Sequence, residues 1–186
     1  MSGRGAELIL VNSLDRAIGY LDKERCHDGA GVLHRAFSVF LFDAEGRLLL
    51  QQRSAAKRLW PGYWSNSCCS HPRRGERIAA AARRRVREEL GVRVSALRFE
   101  FKFAYHARFQ DAGSERELCH VLLGALEPRE ITRLAPDPNE IAAAKWLAPR
   151  EVNALMASKR ARVTPWFRME WQRLAMVRLK LRSRIN

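Results

Sequence analysis

The spacing of apolar residues changes period several times along this chain. Residues 36–42, AFSVFLF, are an apolar, β-rich run; residues 43–46, DAEG, have turn chemistry; residues 47–52, RLLLQQ, return as a second strand. The three together predict a hairpin. The WPGYW stretch at 60–64 reads as a Pro-Gly loop. Over 76–90, ERIAAAARRRVREEL, the period becomes helical: Ile78, Ala82, Val86 and Leu90 fall on one stripe beside Ala79. Gly91 stands where a helix C-cap glycine belongs. Strands are predicted at 92–105 and 117–126, separated by a polar QDAGSE turn. Pro128, Pro136 and Pro138 mark irregular connections, EIAAAKWL at 140–147 is a strand or short helix, and 149–157 is a helix. From Pro165 onward the pattern predicts a basic amphipathic helix. This order predicts an α+β fold, a mixed sheet packed between helices with a basic C-terminal helix.

Composition narrows the class. A chain of 186 residues, 47% hydrophobic and 29% charged, suits one soluble domain with a sizeable core. No apolar run is long enough to span a bilayer, and the MSGRGAELILVNS start lacks signal-peptide architecture. A cytoplasmic protein is the expectation. Cys26, Cys68, Cys69 and Cys119 are too few and too irregular for a disulfide framework, so they read as thiols. The net charge of +14 is concentrated: residues 73–87 carry seven arginines and one acid, and residues 160–186 carry eight basic residues and one acid. Such patches attract anions, whether nucleic acid, a membrane surface or a phosphorylated substrate, although solvated helix faces account for such arginines equally well.

The segment NSCCSHPRRGE, 66–76, places two cysteines just before a histidine. His27 and His34 lie seven residues apart, and Glu115 and Glu117 would share a face if they lie on a strand. Imidazoles with carboxylates suit a divalent transition ion or zinc. No structural zinc spacing is present, and each histidine taken alone also fits a surface or core position.

The stretch from Arg84 to Val92, RRVREELGV, resembles the end of the Nudix signature G-x5-E-x7-R-E-U-x-E-E-x-G-U, where U is a bulky aliphatic residue. Glu76, Arg84, Glu88, Glu89, Gly91 and Val92 match; Ser70 replaces the first glycine and Arg85 replaces a glutamate. In Nudix hydrolases those helix carboxylates hold the Mg²⁺ that activates water. Arg85 inverts one such charge, which weakens a hydrolase reading and adds a cation for a diphosphate. The segments KERCHDGAGVLHRAF, WPGYWSNSCCSHP, ERELC and TPW, spread over about residues 23–166 in order, resemble the type 1 isopentenyl-diphosphate Δ-isomerases, a Nudix-fold family.

That resemblance implies a site. The family moves a double bond by adding one proton and removing another through a carbocation-like centre, which requires an acid and a base in a dry cavity. The corresponding residues are Cys69 on one face and Glu117 on the other, Tyr105 hydrogen-bonded to that carboxyl, and Trp166 facing the cation. Cys68 is left without a role. His27, His34, His71, Glu115 and Glu117 would hold one divalent ion, Mn²⁺, Zn²⁺ or Mg²⁺. Glu89 would hold a Mg²⁺ arriving with the substrate. Lys23, Arg53, Lys57 and Arg85 would meet the diphosphate. A nearby cation would favour the Cys69 thiolate. His106 and His120 read as structural. The expected unit is a single Nudix-fold domain over 1–186, with its core at about 33–150 and the site completed by the N-terminal extension and the C-terminal helix. It is expected to act as a monomer on a small prenyl diphosphate. The competing readings are a Nudix hydrolase, a nucleic-acid-binding module, for which no motif is present so that no nucleic acid is expected, and membrane-surface contact through the basic tail.

Overall fold

The apolar run at 36–42 lies in a strand buried almost throughout, and the other elements are arranged around it. The computed structural model describes the backbone of residues 7–182 and side chains through residue 176. The elements in order are β1 (Glu7–Val11), β2 (Ala17–Asp22), α1 (Lys23–Cys26), β3 (His34–Phe42), β4 (Leu48–Arg53), β5 (Trp64–Ser65), β6 (Cys68–Ser70) and α2 (Ile78–Leu90). They continue with β7 (Leu97–Phe109), β8 (Gly113–Ala125), α3 (Pro128–Ile131), β9 (Ile141–Leu147), α4 (Pro149–Ala157) and α5 (Pro165–Arg182).

One mixed sheet holds the strands. β3 pairs in parallel with β8 over its whole length, from His34↔Glu117 to Phe42↔Ala125. Its other edge is shared in succession by β1, β6 and β4, all antiparallel. β7 continues the sheet beyond β8, and β9 pairs with β4. Alternation along β3 then splits the core into two layers. Ala36 and Phe40 join Tyr105, Cys119, Trp166, Phe167 and Trp171 on the α5 side. Phe37, Val39 and Leu41 join Cys68, Ala82, Val86 and Leu90 under α2. A strand covered on both faces reads as a continuous apolar run. Each large side chain so buried contributes roughly 1.5–3 kcal/mol.

The 36–52 hairpin, the 149–157 helix and the Gly91 cap all form; Gly91 is left-handed at φ 73°. The 140–147 ambiguity resolves as strand β9. Other expectations are corrected. The α2 stripe turns inward through Ala81 as well as Ala82, Val86 and Leu90, while Ala79 stays half-buried. Glu76 lies outside the helix and binds Arg84. The strand expected at 92–105 is instead Leu97–Phe109, and the polar QDAGSE segment is turn only in its first half. Cross-strand pairing carries the charged residues into β8, with Phe109↔Gly113 and Ala107↔Glu115 in register. Gly113 is required there: a Cβ would come within 2.2 Å of the His27 carbonyl oxygen. The C-terminal helix is amphipathic over its first turns: Trp166, Phe167, Glu170, Trp171 and Leu174 are buried on one face, while Gln172, Ala175 and Met176 are exposed. Its basic side chains beyond Met176 lie outside the described residues. No described helix is long and apolar enough to cross a membrane.

Candidate active site

Strand pairing brings the histidines together. His27 ends α1, where Asp22 caps the first turn through its carboxylate. His34 opens β3, and His71 follows β6, which pairs with β3. Glu115 and Glu117 alternate on β8, and Glu117 lies opposite His34. One ligand atom from each of these five residues lies within 4.8 Å of all the others.

The donor set fits a cation. His27 Nδ1 contacts the Lys23 carbonyl at 2.6 Å, and His34 Nδ1 contacts the Val32 carbonyl at 2.7 Å. Carbonyls only accept, so each Nδ1 carries the proton and each neutral ring directs an Nε2 lone pair inward. The His27 lone pair meets another acceptor, Glu115 Oε2, at 2.8 Å, while His71 Nε2 lies 2.9 Å from Glu117 Oε1 and 3.1 Å from His34 Nε2, where a single shared proton serves only one of the two. Glu115 Oε2 is buried without a hydrogen-bond donor. Convergent buried lone pairs are costly unless a cation or added protons lie between them. Burial, with the His34 and His27 rings beside it, holds His71 well below the ordinary histidine range and therefore neutral, as ligation requires. His27, Glu115 and their partners can thus hold a metal ion.

A cavity of about 240 Å³ opens beside this group. Its lining includes Lys23, Arg53, Lys57 and Arg85 among the expected cations, and Cys69, Tyr105, Glu117 and Trp166 among the expected catalytic groups. Cys69 and Glu117 stand on β6 and β8, the two strands flanking β3. Tyr105 donates to Glu117 Oε2 at 2.7 Å. Burial alone would push the Glu117 carboxyl up, but the contacts with His34 and Tyr105 outweigh it and hold the group below the ordinary carboxylate range. Trp166 donates through Nε1 to Ser65 Oγ at 3.1 Å, and the Trp60 ring meets it edge-on at 5.2 Å.

Two expected residues stand back from the cavity wall. His34 is fully buried behind its partners. Glu89 is buried against Arg85, whose Nη2 lies 2.6 Å from Glu89 Oε1. Burial holds the Glu89 carboxyl above its ordinary range, partly offset by Arg85. Arg53 lines the cavity, yet its Nε and Nη2 donate to the Leu59 and Trp60 carbonyls and its guanidinium sits 5.3 Å from the Trp166 ring centre. It organises the WPGYW loop as well as facing the pocket. A cation favours the Cys69 thiolate, as expected, but it does not decide the state of the group. Burial pushes this thiol up to about 12, Arg53 offsets only part of that, and the Glu89 and Glu170 carboxylates add to it. Its sulfur contacts Asn66 Oδ1 at 3.5 Å and Ser65 Oγ at 3.7 Å. Cys68 points the other way, fully buried under α2.

Sequence reasoning missed Glu140, which binds both Lys57 and Arg85, the latter at 3.0 Å. It also missed the hydroxyls of Ser65 and Thr164, 2.9 Å apart behind Trp166. Ser65 and Thr164 adjoin the SNSCCSHP and TPW segments, but nothing in the sequence indicates that the two meet.

The family model described as NUDIX domain matches residues 32–167, so the mixed sheet with α2 packed across one face is that of a Nudix-domain protein. The fold is similar to a crystal structure of a Deinococcus radiodurans protein, with a TM-score of 0.71, 25% identity, and 90% of this chain and 98% of that one covered. It is also similar in fold to the MutT protein from Methanosarcina mazei, with a TM-score of 0.61 at 14% identity, covering 78% of this chain and 95% of that one. Among curated proteins, the chain is 46% identical to the isopentenyl-diphosphate Delta-isomerase of Nocardia farcinica, over 84% of this chain and 87% of that one. It is 42% identical to the protein of that name from Halorhodospira halophila, over 87% and 90% of the two chains. It is 38% identical to isopentenyl-diphosphate Delta-isomerase 1 of Photorhabdus laumondii, over 88% and 92%. The chain therefore belongs to the isopentenyl-diphosphate Delta-isomerase family of Nudix-domain proteins.

Proposed function

We propose that this chain interconverts isopentenyl diphosphate and dimethylallyl diphosphate, a step of isoprenoid biosynthesis. The observation that carries the reading is one cavity lined by a thiol, a carboxyl with its tyrosine partner, and an indole, with Lys23, Lys57 and Arg85 beside them. A hydrolase of this family would need a carboxylate where Arg85 stands.

In this reading the diphosphate binds Lys23, Lys57 and Arg85, with Arg53 at its flank. Burial, reinforced by the nearby Lys57 charge, holds the Lys23 ammonium below the ordinary lysine range, which favours uptake of an anion. The prenyl tail then lies between Cys69 and Glu117. One of the pair delivers a proton to one carbon and the other removes a proton from a neighbouring carbon; the roles exchange with the direction of reaction. Tyr105 fixes the Glu117 carboxyl, and the Trp166 face stabilises the positive centre through its quadrupole. Cys69 rests as a thiol. When it serves as base, its proton must leave before or as substrate binds.

His27, His34, His71, Glu115 and Glu117 would hold a divalent ion of the Mn²⁺, Zn²⁺ or Mg²⁺ type, which would supply positive charge that tunes and orients Glu117. Glu89 would hold a Mg²⁺ accompanying the diphosphate, a role that requires its Arg85 contact to loosen. The same reading treats the chain as one monomeric domain in which α1 and α5 complete the site, and allows the basic C-terminal sequence, whose side chains lie outside the described residues, to contact an anionic membrane surface.

Proton NMR of the metal-loaded protein with isopentenyl diphosphate and Mg²⁺ in D₂O tests the proposal. Deuterated dimethylallyl diphosphate without phosphate release is the expected product. Phosphate release with an unmoved double bond would replace the isomerase reading by a hydrolase.

A further inference from the structure

Glu170 is a buried acid that the proposed reaction does not use. It lies in α5 one turn after Trp166 and is fully inaccessible to solvent. Its Oε1 is 3.5 Å from Cys119 Sγ, which is itself 3.5 Å from Ser38 Oγ. Its Oε2 is buried with no hydrogen-bond partner, and among the described residues no ion pair includes it. The groups facing it are Cys119 and Glu117 from β8, Ser38 from β3, Cys69 from β6, and Arg173 from its own helix. Burial disfavours a second negative charge there and Glu117 adds to it, outweighing Ser38, Cys119 and Arg173, which favour the anion. A carboxyl placed there by chance would be strongly disfavoured as an anion.

Position gives the residue a use. Residues four apart on a helix share a face, so Glu170 and Trp166 both point from α5 toward the sheet. Trp166 meets the cavity, and Glu170 meets Cys119 and Ser38 behind it. Along β8, Cys119 follows Glu117 on the same face of the strand. The carboxyl therefore joins the helix carrying the indole to the strands carrying Glu117 and His34. A neutral acid can both donate and accept toward a thiol and a hydroxyl, whereas a carboxylate can only accept.

We infer that Glu170 is a positioning residue acting through Trp166: as an uncharged acid it fastens the start of α5 to β8 and β3, and loss of its proton loosens the indole from the cavity wall. The inference rests on the isomerase reading for its kinetic readout, but not for its structural one. Burial, reinforced by the Glu117 charge, pushes the Glu170 carboxyl up to about 8, so its ionisation falls within reach of ordinary assays.

The test compares the metal-loaded protein with Glu170→Gln and Glu170→Ala between pH 6 and 9.5. Turnover is measured alongside the indole N–H resonance of Trp166, assigned by its disappearance in Trp166→Phe. In the unaltered chain, kcat should fall with rising pH at the midpoint of the Glu170 ionisation, and the indole resonance should move with the same midpoint. Glu170→Gln, a permanent mimic of the neutral acid, should lose that midpoint in both signals and restore most of the turnover that Glu170→Ala removes. An unchanged alkaline limb and indole midpoint in Glu170→Gln would overturn the inference, as would a Gln variant as slow as the Ala variant. A rate that rises with pH only when Glu170 is present would also overturn it, by showing that the anion supports the reaction. Should Glu170→Ala fail to fold, the Gln comparison still decides. Should the unaltered chain make no dimethylallyl diphosphate, the functional reading fails, and the indole titration alone supports or overturns the role of Glu170.

Discussion

His27 Nε2 lies 2.8 Å from Glu115 Oε2 while its Nδ1 is committed to the Lys23 carbonyl. A neutral ring in that tautomer sets one lone pair against another. Only a bound cation, or a proton taken up in its place, makes the contact favourable. The protein should therefore bind one equivalent of Mn²⁺ or Zn²⁺ tightly and release protons as it does so. At a free-metal level about a hundred times Kd, the gain is about 2.7 kcal/mol. Calorimetry should show a stripped sample melting roughly 5–10 °C lower than a loaded one. His34→Ala should abolish the difference. A melting temperature indifferent to chelation would remove the metal site from the mechanism.

Neighbouring cysteines on β6 face opposite layers. Cys69 opens to the cavity, whereas Cys68 is sealed beneath α2. Cys69→Ala should lower kcat by about 10²–10⁴-fold, the usual range for a positioned acid or base, and Glu117→Gln should do the same. Circular dichroism should find both variants folded. Cys68→Ala should keep near-normal kcat and lose about 1 kcal/mol of stability from the vacated core volume. A kinetic loss at Cys68 equal to that at Cys69 would show that the wrong thiol had been assigned.

Much of this arrangement was legible in the sequence because local pattern and function coincide. The strand at 36–42 is apolar throughout because it is covered on both sides, and Glu115 and Glu117 share a face because strands alternate. The ordered segments around His27, Cys69, Glu117 and Trp166 indicated the cavity residues that the fold then gathers. What stayed illegible depends on distance in space. Glu140 reaches Lys57 across 83 positions of sequence, and no local spacing encodes that contact. The Cys69 cation was foreseeable and does favour the thiolate, but the enclosure that outweighs it exists only in the packed state. Glu170 looked like one acid diluting a basic helix, and its burial follows only from the sheet beneath it.

Glu140 holds two of the cations that line the cavity, the pair proposed to meet the diphosphate. It contacts Lys57 and Arg85 together. Burial opposes its charge, but those two partners outweigh it and hold the carboxyl down at about 2. A depressed carboxylate stabilises the fold above its unfolded value near 4.5, and that contribution is lost as pH falls toward 2. Allowing for solvent screening, the contribution at neutral pH is on the order of 1–2 kcal/mol. Glu140→Gln should therefore reduce stability at pH 7 and shrink the loss on acidification between about pH 5 and pH 2. With the two cations no longer held, KM for isopentenyl diphosphate should rise several-fold while kcat changes less. A variant with unchanged KM would show that Lys57 and Arg85 need no such support.

Glu170 shifts in the opposite direction, and the sign of its effect on stability reverses with it. The folded chain keeps this proton up to about pH 8, while an unfolded chain releases it near 4.5. Between those values the native state binds more protons than the unfolded state, so stability falls as pH rises. The full interval would correspond to about 5 kcal/mol at 1.36 kcal/mol per unit, an upper bound that relaxation and water entry reduce to a few kcal/mol. Glu170→Gln, which carries no titrating proton, should match the unaltered chain in urea unfolding near pH 4.5 and exceed it increasingly up to pH 8. Beyond pH 8 the gap should stop growing, because both forms of the unaltered chain are then ionised. Parallel stability profiles for the two proteins would mean that the carboxyl titrates normally and that its burial is relieved in solution. A widening gap would identify Glu170 as an acid kept at a cost to stability, as expected of a residue retained for what it does to Trp166.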